Sequence, residues 1–433
     1  MIGAGAPPPA APAADPARTT MGAPPGVLTF EALGGNRYAL APRNGLEHGL
    51  FQVSAPGDLS GRRMPVNLAL VIDRSGSMEG EPLEYVKQAC SHVVDLLEPS
   101  DILSVVTFAE TVEVVMPARR VVNRQLIKEH LNRIQVGNTT NLFDGLVAGA
   151  GQVASVRSEG YVNRVLILTD GEPTAGVKDF QSIVGCVAEQ KSRNIVTTAL
   201  GFGPDYNEEL LAGMARRSGG NYYYISRPEL IPEVFRKEME TLLTLTAQNL
   251  HLTLHLARWV RLHRFLGLDG AISDRTAEVD LPDLERGAVA SALTELELER
   301  RPPGTYRVAR ALLRYDNCVT GASGEQLEAD LVFEFVTDSS LLASGVNPVV
   351  RQAVEISQAS RNLEQTMMGI KTQQLGQGVA VAELERTQML LSKSGRTEQA
   401  AEVTRAIEDL RQGSGDVEKT LIGTVMDLDL GKR

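Results

Sequence analysis

VNLALVIDRSGS, residues 66–77, is the stretch of this chain that decides the fold. Its apolar run has the length and composition of a buried strand, and it ends abruptly at Asp73. Ser75 and Ser77 follow at alternate positions, so a carboxylate and two hydroxyls leave the end of the strand together. The pattern predicts a strand that delivers hard oxygen ligands into a loop.

Two later segments carry side chains of the same chemistry. GNTTNL contains Thr140, and NRVLILTDGEPT is a second apolar strand that ends at Asp170 and Gly171. The carboxyl ends of parallel strands meet at one edge of an open α/β sheet, and ligands bind at that edge. We therefore expect Asp73 and Asp170 to lie at one site.

The three segments together resemble the metal-ion-dependent adhesion site (MIDAS) of the von Willebrand factor A (VWA) domain. All five positions of that motif are filled, in the family's order and at its usual separations, by Asp73, Ser75, Ser77, Thr140 and Asp170. The resemblance implies that these residues surround one divalent cation, Mg²⁺, with Mn²⁺ or Ca²⁺ as alternatives. It also implies an open coordination position that takes the Asp or Glu carboxylate of a partner protein.

The residue types suit such an ion. Hydroxyl and carboxylate oxygens are ligands for Mg²⁺, which favours octahedral geometry at about 2.1 Å and keeps waters where the protein supplies few ligands. The alternative is a metal that only pins the loops, or a site that no partner uses.

Catalysis is not expected from these residues. A nucleophilic Ser75 or Ser77 needs a base within hydrogen-bond reach, and the nearest histidine in sequence, His92, falls inside a predicted helix. Metal-assisted hydrolysis would need a general base that the motif does not provide. Zinc is not expected either, because three histidines lack companion ligands at zinc-site spacing: His251, His255 and His263.

Composition and sequence features limit the partners and the cellular compartment that we expect for this protein. The chain has 433 residues, and 54 acidic against 43 basic residues give a net charge of −11, which argues against a nucleic-acid surface. Cys90, Cys186 and Cys318 are too few and too scattered for a disulfide framework. No apolar run is long enough for a membrane span, and the N-terminus lacks the features of a secretory signal. We expect a cytoplasmic protein.

Periodicity divides the chain into successive segments. Apolar strands alternate with helices in the middle, which favours a doubly wound, mostly parallel, Rossmann-like sheet. ILSVVTF and TVEVVM are separated by two residues and predict a hairpin with an antiparallel edge strand. Later strands have period two and predict a β-sandwich that the strands before residue 63 complete. The arrangement resembles bacterial cytoplasmic proteins in which the VWA domain is inserted in a split β-sandwich. The predicted segments are a disordered Ala/Pro-rich arm (1–26), N-terminal sandwich strands (27–62), the VWA domain (63–244), the β-sandwich (245–340), a helical bundle segment (341–413) and a tail (414–433).

The C-terminal segments carry amphipathic stripes and two candidate phosphosites. Ala400, Val403 and Ile407 lie at helical spacing, which is more typical of a bundle core than of a partner groove. Thr420 and Thr424 lie in the predicted tail, where Thr424 and the following Asp427 resemble the motif that phosphothreonine-binding domains prefer. An unmodified tail or a docked edge strand is the simpler alternative.

Three functions fit the sequence. The leading hypothesis is a protein-interaction adaptor that binds a partner's acidic side chain through Mg²⁺. The first alternative is an auxiliary subunit of an AAA+ ATPase of the MoxR or chelatase type. The second is a scaffold protein that assembles with itself.

Overall fold

The structure, a computed structural model, describes residues 28–57, 63–156, 160–203, 206–412 and 417–430. The arm predicted at residues 1–26 lies outside the described residues. The strands, in chain order, are β1 (Thr29–Gly34), β2 (Tyr38–Leu40), β3 (Gly45–Ser54), β4 (Val66–Asp73), β5 (Ile102–Phe108), β6 (Val112–Arg120), β7 (Val162–Thr169), β8 (Val196–Phe202), β9 (Tyr222–Ile225), β10 (Leu245–Leu256), β11 (Val260–Leu266), β12 (Ala271–Ile272), β13 (Thr276–Asp280), β14 (Leu284–Glu285), β15 (Val289–Leu298), β16 (Gly304–Asn317) and β17 (Glu325–Val336).

The helices fall between the strands of the middle region and after the last strand. They are α1 (Glu81–Leu96), α2 (Arg124–Asn132), α3 (Leu142–Ala154), α4 (Phe180–Ser192), α5 (Glu208–Ser218), α6 (Ile231–Leu243), α7 (Leu341–Ser344), α8 (Pro348–Lys371), α9 (Gln377–Lys393), α10 (Thr397–Gln412) and α11 (Val417–Asp429). None of the described helices is long and apolar enough to cross a bilayer.

The central sheet has the strand order β6-β5-β4-β7-β8-β9. Its strands pair in parallel except β6, which pairs antiparallel with β5 at one edge, so the predicted hairpin is confirmed. Every residue of β4, β5, β7 and β8 is buried, because helices cover both faces of the sheet. One apolar core joins the sheet to α1, α2 and α6, and the other joins it to α3, α4 and α5. The predicted α/β sheet is confirmed.

Two sheets share a separate apolar core, and their strands pair antiparallel except β2, which pairs in parallel with β17. One has the order β1-β3-β15-β11, and the other has the order β12-β13-β10-β16-β17-β2, with β14 paired to β10. The N-terminal strands therefore lie in the same sheets as the strands that follow the central sheet. In β10, Leu250, Leu252 and Leu254 face the core, whereas His251 and His255 take the outer face, as the alternation predicts.

The predicted C-terminal helical segment is confirmed, and it extends further than predicted. Helices α8 to α11 share one core, and Ala400, Val403 and Ile407 of α10 are buried in it. The prediction of an unfolded tail from residue 414 is wrong, because residues 417–429 form α11. Leu421 and Val425 of this helix are 0% and 2% exposed, so apolar burial against α8 and α10 holds it in place.

Candidate functional site

Two parallel strands end side by side at the candidate site. Asp73 is the last residue of β4 and Thr169 is the last residue of β7, and Ile72 pairs with Leu168 directly below them. Asp170 follows Thr169 and therefore leaves the sheet beside Asp73. The short 3₁₀ turn Gly76–Met78 after β4 carries Ser77, and Ser75 precedes it. The carboxyl edge of the sheet thus gathers these side chains, as the strand pattern predicts.

Three of the five sequence-predicted residues, Ser75, Ser77 and Asp170, form a connected group of oxygen atoms, and Asp73 adjoins it. Ser77 Oγ donates to Asp170 Oδ1 at 2.8 Å, and Ser75 Oγ lies 3.5 Å from the same oxygen. The two serine hydroxyls are 3.2 Å apart. Asp73 is fully buried, Ser75 is 2% exposed and Asp170 is 6% exposed, whereas Ser77 faces solvent. The group is therefore buried on the strand side and open through Ser77.

The spacing of these oxygens matches the spacing of neighbouring ligands around one ion. Two ligands at about 2.1 Å from Mg²⁺ in adjacent octahedral positions are about 3.0 Å apart. The distances of 2.8 Å between Ser77 Oγ and Asp170 Oδ1 and 3.2 Å between the serine hydroxyls lie on either side of this value. The residues present fit a small, hard cation.

Asp73 is held by two hydrogen bonds in a buried setting. Ser75 N donates to Asp73 Oδ1 at 2.8 Å, and Thr169 Oγ1 donates to Asp73 Oδ2 at 2.5 Å. Burial raises the pKa of Asp73 to about 6, and the charge of Asp170 adds to the rise, while the hydrogen bonds from Thr169 and Ser75 oppose it. A cation beside the two carboxylates would offset the cost of burying their charge.

Thr140 lies beside the group in a loop that is fixed at both ends. It is 4% exposed, and a methyl group placed on Gly171 would be 3.6 Å from its Oγ1. Thr140 N donates to Thr174 Oγ1 at 2.8 Å, and Thr174 N donates back to Thr140 O at 3.0 Å. Asn141 then caps α3, because its side chain accepts from Asp144 N. The structure thus places the Thr140 hydroxyl next to the Asp170 loop.

Two residues of the site do not appear among the sequence-predicted ligands. Thr169 orients Asp73, and Thr174 holds the backbone of Thr140. Thr169 is the last residue of an apolar strand, and a hydroxyl at that position, next to Asp170, is the signal that identifies it. Thr174 has no comparable signal, because its partner is 34 residues away in the chain.

The remaining sequence-predicted residues fall outside this group. His92 is an exposed residue of α1. Among the described residues there is no group of three or more His, Cys, Asp or Glu side chains that could hold a metal, and the candidate set itself contains only two such residues, Asp73 and Asp170. One or two carboxylates are enough for a Mg²⁺ site, because Mg²⁺ keeps several waters.

The candidate phosphosites are not exposed, which corrects the expectation of an accessible tail. Thr420 is 8% exposed and Thr424 is 3% exposed. Thr424 Oγ1 donates to Thr420 O at 3.1 Å within α11. Both residues line a cavity that α11 forms with α10 and β9, and little of either residue reaches solvent. A kinase or a phosphothreonine-binding domain would reach them only if α11 came away from α10.

Comparisons with known proteins agree with the fold. The family model of the von Willebrand factor type A domain matches residues 67–237. An uncharacterized protein of Synechocystis sp. is 32% identical over 279 residues, which are 62% of this chain and 66% of that protein, so the chain spans just under two thirds of its length.

Solved structures resemble the chain over most of its length. A von Willebrand factor type A protein from Catenulispora acidiphila has a TM-score of 0.71 at 18% identity, covering 87% of this chain and 88% of the other. The ArnB paralog VWA2 from Sulfolobus acidocaldarius has a TM-score of 0.63 at 17% identity, covering 93% and 98%. At these identities the likeness concerns the fold alone.

Proposed function

Since residues 67–237 form a von Willebrand factor type A domain, we propose that this domain binds Mg²⁺ and, through it, an acidic side chain of a partner protein. The proposed ligands are Asp73, Ser75, Ser77, Thr140 and Asp170. The protein then acts as a non-enzymatic adaptor.

The observation that carries the proposal is the convergence of hydroxyl and carboxylate oxygens at the ends of β4 and β7. Ser75 Oγ, Ser77 Oγ and Asp170 Oδ1 lie within 3.5 Å of one another, at the separations that ligands of one ion require. Bound Mg²⁺ would accept a further oxygen ligand from outside the protein. Ser77 leaves that approach open, because it faces solvent.

The role of an adaptor follows from what such domains do. VWA domains mediate protein–protein interactions and are generally not enzymes. In this chain the hydroxyls of Ser75 and Ser77 are directed at the carboxylate of Asp170. This arrangement supports a role as metal ligands rather than as nucleophiles. No observation on the described residues favours the ATPase-subunit or the self-assembling scaffold alternative.

A cytoplasmic location belongs to the same proposal. Cys90, Cys186 and Cys318 are free thiols in the structure, and burial raises the pKa of Cys90 to about 12. Buried, protonated thiols are unreactive and need no oxidising compartment.

Affinity capture tests the proposal directly. Wild type, Asp73→Ala and Asp274→Ala are immobilised and exposed to lysate of the native host in Mg²⁺ or in EDTA, with bound proteins identified by mass spectrometry. Asp274 is the matched control because its side chain is 98% exposed and lies away from the site. Partners that bind wild type and Asp274→Ala only in Mg²⁺, and do not bind Asp73→Ala, are the expected result. Partners retained in all samples would refute metal-bridged recognition.

A further inference from the structure

An open groove runs along the first half of α1, which begins four residues after Ser77. It has a volume of about 780 Å³. One wall is the N-terminal half of α1 from Gly80 to Gln88, and the other wall is the segment 134–136 that follows α2. A pocket of this size accommodates several side chains of a bound segment.

The segments that line the groove adjoin, in the chain, the loops that carry the proposed ligands. Gly137 N donates to Arg74 O at 2.6 Å, and Gly76 N donates to Asn138 O at 3.3 Å. These two bonds join the loop of Ser75 and Ser77 to the loop that leads to Thr140. Gly80, three residues after Ser77, faces open space at the groove, since a methyl group on it would have no atom within 4 Å. Both walls of the groove therefore start within a few residues of the loops that carry the proposed ligands.

The lining of the groove is apolar at the base. Leu83 and Ile134 are 4% and 6% exposed, and the half-buried Tyr85 and Val136 lie at the edge of the same core. Burying an apolar side chain against such a base is favourable by about 0.8 kcal/mol for each methylene removed from water.

The rim of the groove near the site is acidic. Glu81 lines the groove, and Glu79 lies two residues before it in the chain. Both are exposed, and no ion pair involves either of them within the part of the chain that the structure describes. Glu84, further along, is already paired with Lys87 at 2.9 Å. Glu110, on the opposite side of the loop pair, accepts Asn138 N at 2.8 Å and is near Arg74. The uncompensated negative charge therefore lies at Glu79 and Glu81.

The negative charge of this rim affects which partner groups can approach the proposed metal centre. The two positive charges of Mg²⁺ cancel the carboxylates of Asp73 and Asp170, so an incoming carboxylate meets a neutral centre beside a negative rim. A partner acid alone would be repelled by Glu79 and Glu81, whereas basic residues next to it would be attracted.

We propose that this groove, lined by α1 and residues 134–136, binds the segment of the partner that adjoins its metal-ligating acid, and that this segment carries Lys or Arg together with an apolar side chain. The proposal rests on the proposed function and names the partner class of that site: a peptide segment with one acid flanked by basic and apolar residues. The cations pair with Glu79 and Glu81 while the apolar side chain covers Tyr85 and Val136.

A phage-displayed random peptide library, selected on the full chain in Mg²⁺ and eluted with EDTA, tests the proposal. We expect the recovered peptides to share an Asp or Glu with Lys or Arg and an apolar residue at a fixed offset on one side. A synthetic copy of the commonest peptide is then titrated against Glu79→Lys, Glu81→Lys and the control Glu299→Lys, which reverses an exposed charge after β15.

The rim variants distinguish peptide binding in the groove from Mg²⁺ binding by the proposed ligands. Each rim variant should weaken the peptide about fivefold, the effect of one exposed ion pair, and should weaken the peptide more than it weakens Mg²⁺ binding, while Glu299→Lys has no effect on either. Peptides that need Mg²⁺ but have random neighbours around the acid, with equal affinity for all three variants, would overturn the groove and leave the proposed function standing. A library that yields no Mg²⁺-dependent peptide would overturn both.

Discussion

Thr169 fixes the orientation of the carboxylate that lies deepest in the candidate site. Its hydroxyl donates to Asp73 Oδ2, while the backbone of Ser75 donates to Oδ1. Because both oxygens have donors, the carboxylate cannot rotate without losing a hydrogen bond in a buried place. Partners of metal ligands commonly contribute tenfold or more to metal affinity.

Replacing this hydroxyl tests its role. Thr169→Val keeps the shape of the side chain and removes the donor, so we expect Mg²⁺ affinity to fall by about tenfold or more in isothermal titration calorimetry. Thr107→Val is the matched control, because Thr107 is the buried, penultimate residue of the neighbouring strand β5 and its hydroxyl has no hydrogen-bond partner among the described residues. Equal Mg²⁺ affinity in the two variants would contradict the assigned role.

The sequence predicts where the candidate ligands lie but not their supporting contacts. Asp73 and Asp170 follow apolar strands, so their common position at the sheet edge follows from strand direction alone. The contact between Thr140 and Thr174 depends on how two loops 34 residues apart meet. The local sequence pattern does not predict a contact between loops this far apart in the chain. The binding of Mg²⁺ by the five residues stays a prediction.

Helix α3 approaches the sheet closely enough to exclude side chains at two positions. A methyl group on Gly145 would lie 2.7 Å from Phe108 Cδ1, and one on Gly149 would overlap Val71 Cγ2. The two glycines are one helical turn apart and face β4 and β5. Since α3 starts directly after Thr140 and Asn141, its close packing fixes the loop of the candidate site.

Alanine substitutions on α3 should have opposite effects on stability. We expect Gly149→Ala to lower the free energy of unfolding by about 1 to 3 kcal/mol, because overpacking against Val71 exceeds the gain in helix propensity. Gly151→Ala should raise it by up to about 1 kcal/mol, since nothing lies within 4 Å of the added methyl group. Urea unfolding measures both. A stabilised Gly149→Ala would show that α3 does not pack as described.

Helix α11 is the element that the sequence reasoning missed. Leu421, Val425 and Leu428 recur at spacings of four and three residues, which is a helical stripe. Gly423 lowers the helix propensity of this stretch and makes the helical pattern harder to recognise. In the structure this glycine packs near Tyr222, because a methyl group on it would lie 3.7 Å from the Tyr222 ring. A helix this short is marginal on its own and depends on tertiary packing. Its stability comes from contacts that no local window contains.

The burial of α11 predicts a contrast between two threonines. Thr424 and Thr404 both donate to the carbonyl four residues earlier, but Thr424 is 3% exposed and Thr404 is exposed. Thr424→Glu should cost several kcal/mol because it buries an unpaired charge, whereas Thr404→Glu should stay within about 0.5 kcal/mol of wild type. Thermal unfolding distinguishes them. Similar melting temperatures would restore the tail interpretation for residues 417–429.

A buried ion pair joins the central sheet to the second antiparallel sheet. Arg164 of β7 and Asp283, just before β14, are 3.1 Å apart, and both side chains are less than a tenth exposed. Asp283 also accepts Asn249 N at 3.3 Å. Alternation of strands and helices predicts the central sheet, and period two predicts the other sheets. The contact between them involves residues 119 apart in the chain, and sequence pattern does not predict it.

Replacing one charged residue of this pair should lower the free energy of unfolding strongly, whereas replacing both should lower it little. Arg164→Met leaves Asp283 charged and buried, for which we expect a loss of about 3 to 5 kcal/mol. The double variant Arg164→Met/Asp283→Leu should recover most of that loss. Arg193→Met, which breaks an ion pair with both side chains 65% exposed, should cost less than about 1 kcal/mol. A double variant no more stable than Arg164→Met would contradict this account of the junction.

The measurement that tests the central claim most directly is a calorimetric titration of Mg²⁺ into the full chain and into Asp73→Ala, with Asp274→Ala as the control. Mg²⁺ should bind wild type and Asp274→Ala saturably at one site, and Asp73→Ala should give only the heat of dilution. Binding should also raise the melting temperature of wild type, because a ligand that binds only the folded state stabilises it. Equal Mg²⁺ binding by all three proteins, or none by wild type, would contradict the assignment of these residues as a metal centre.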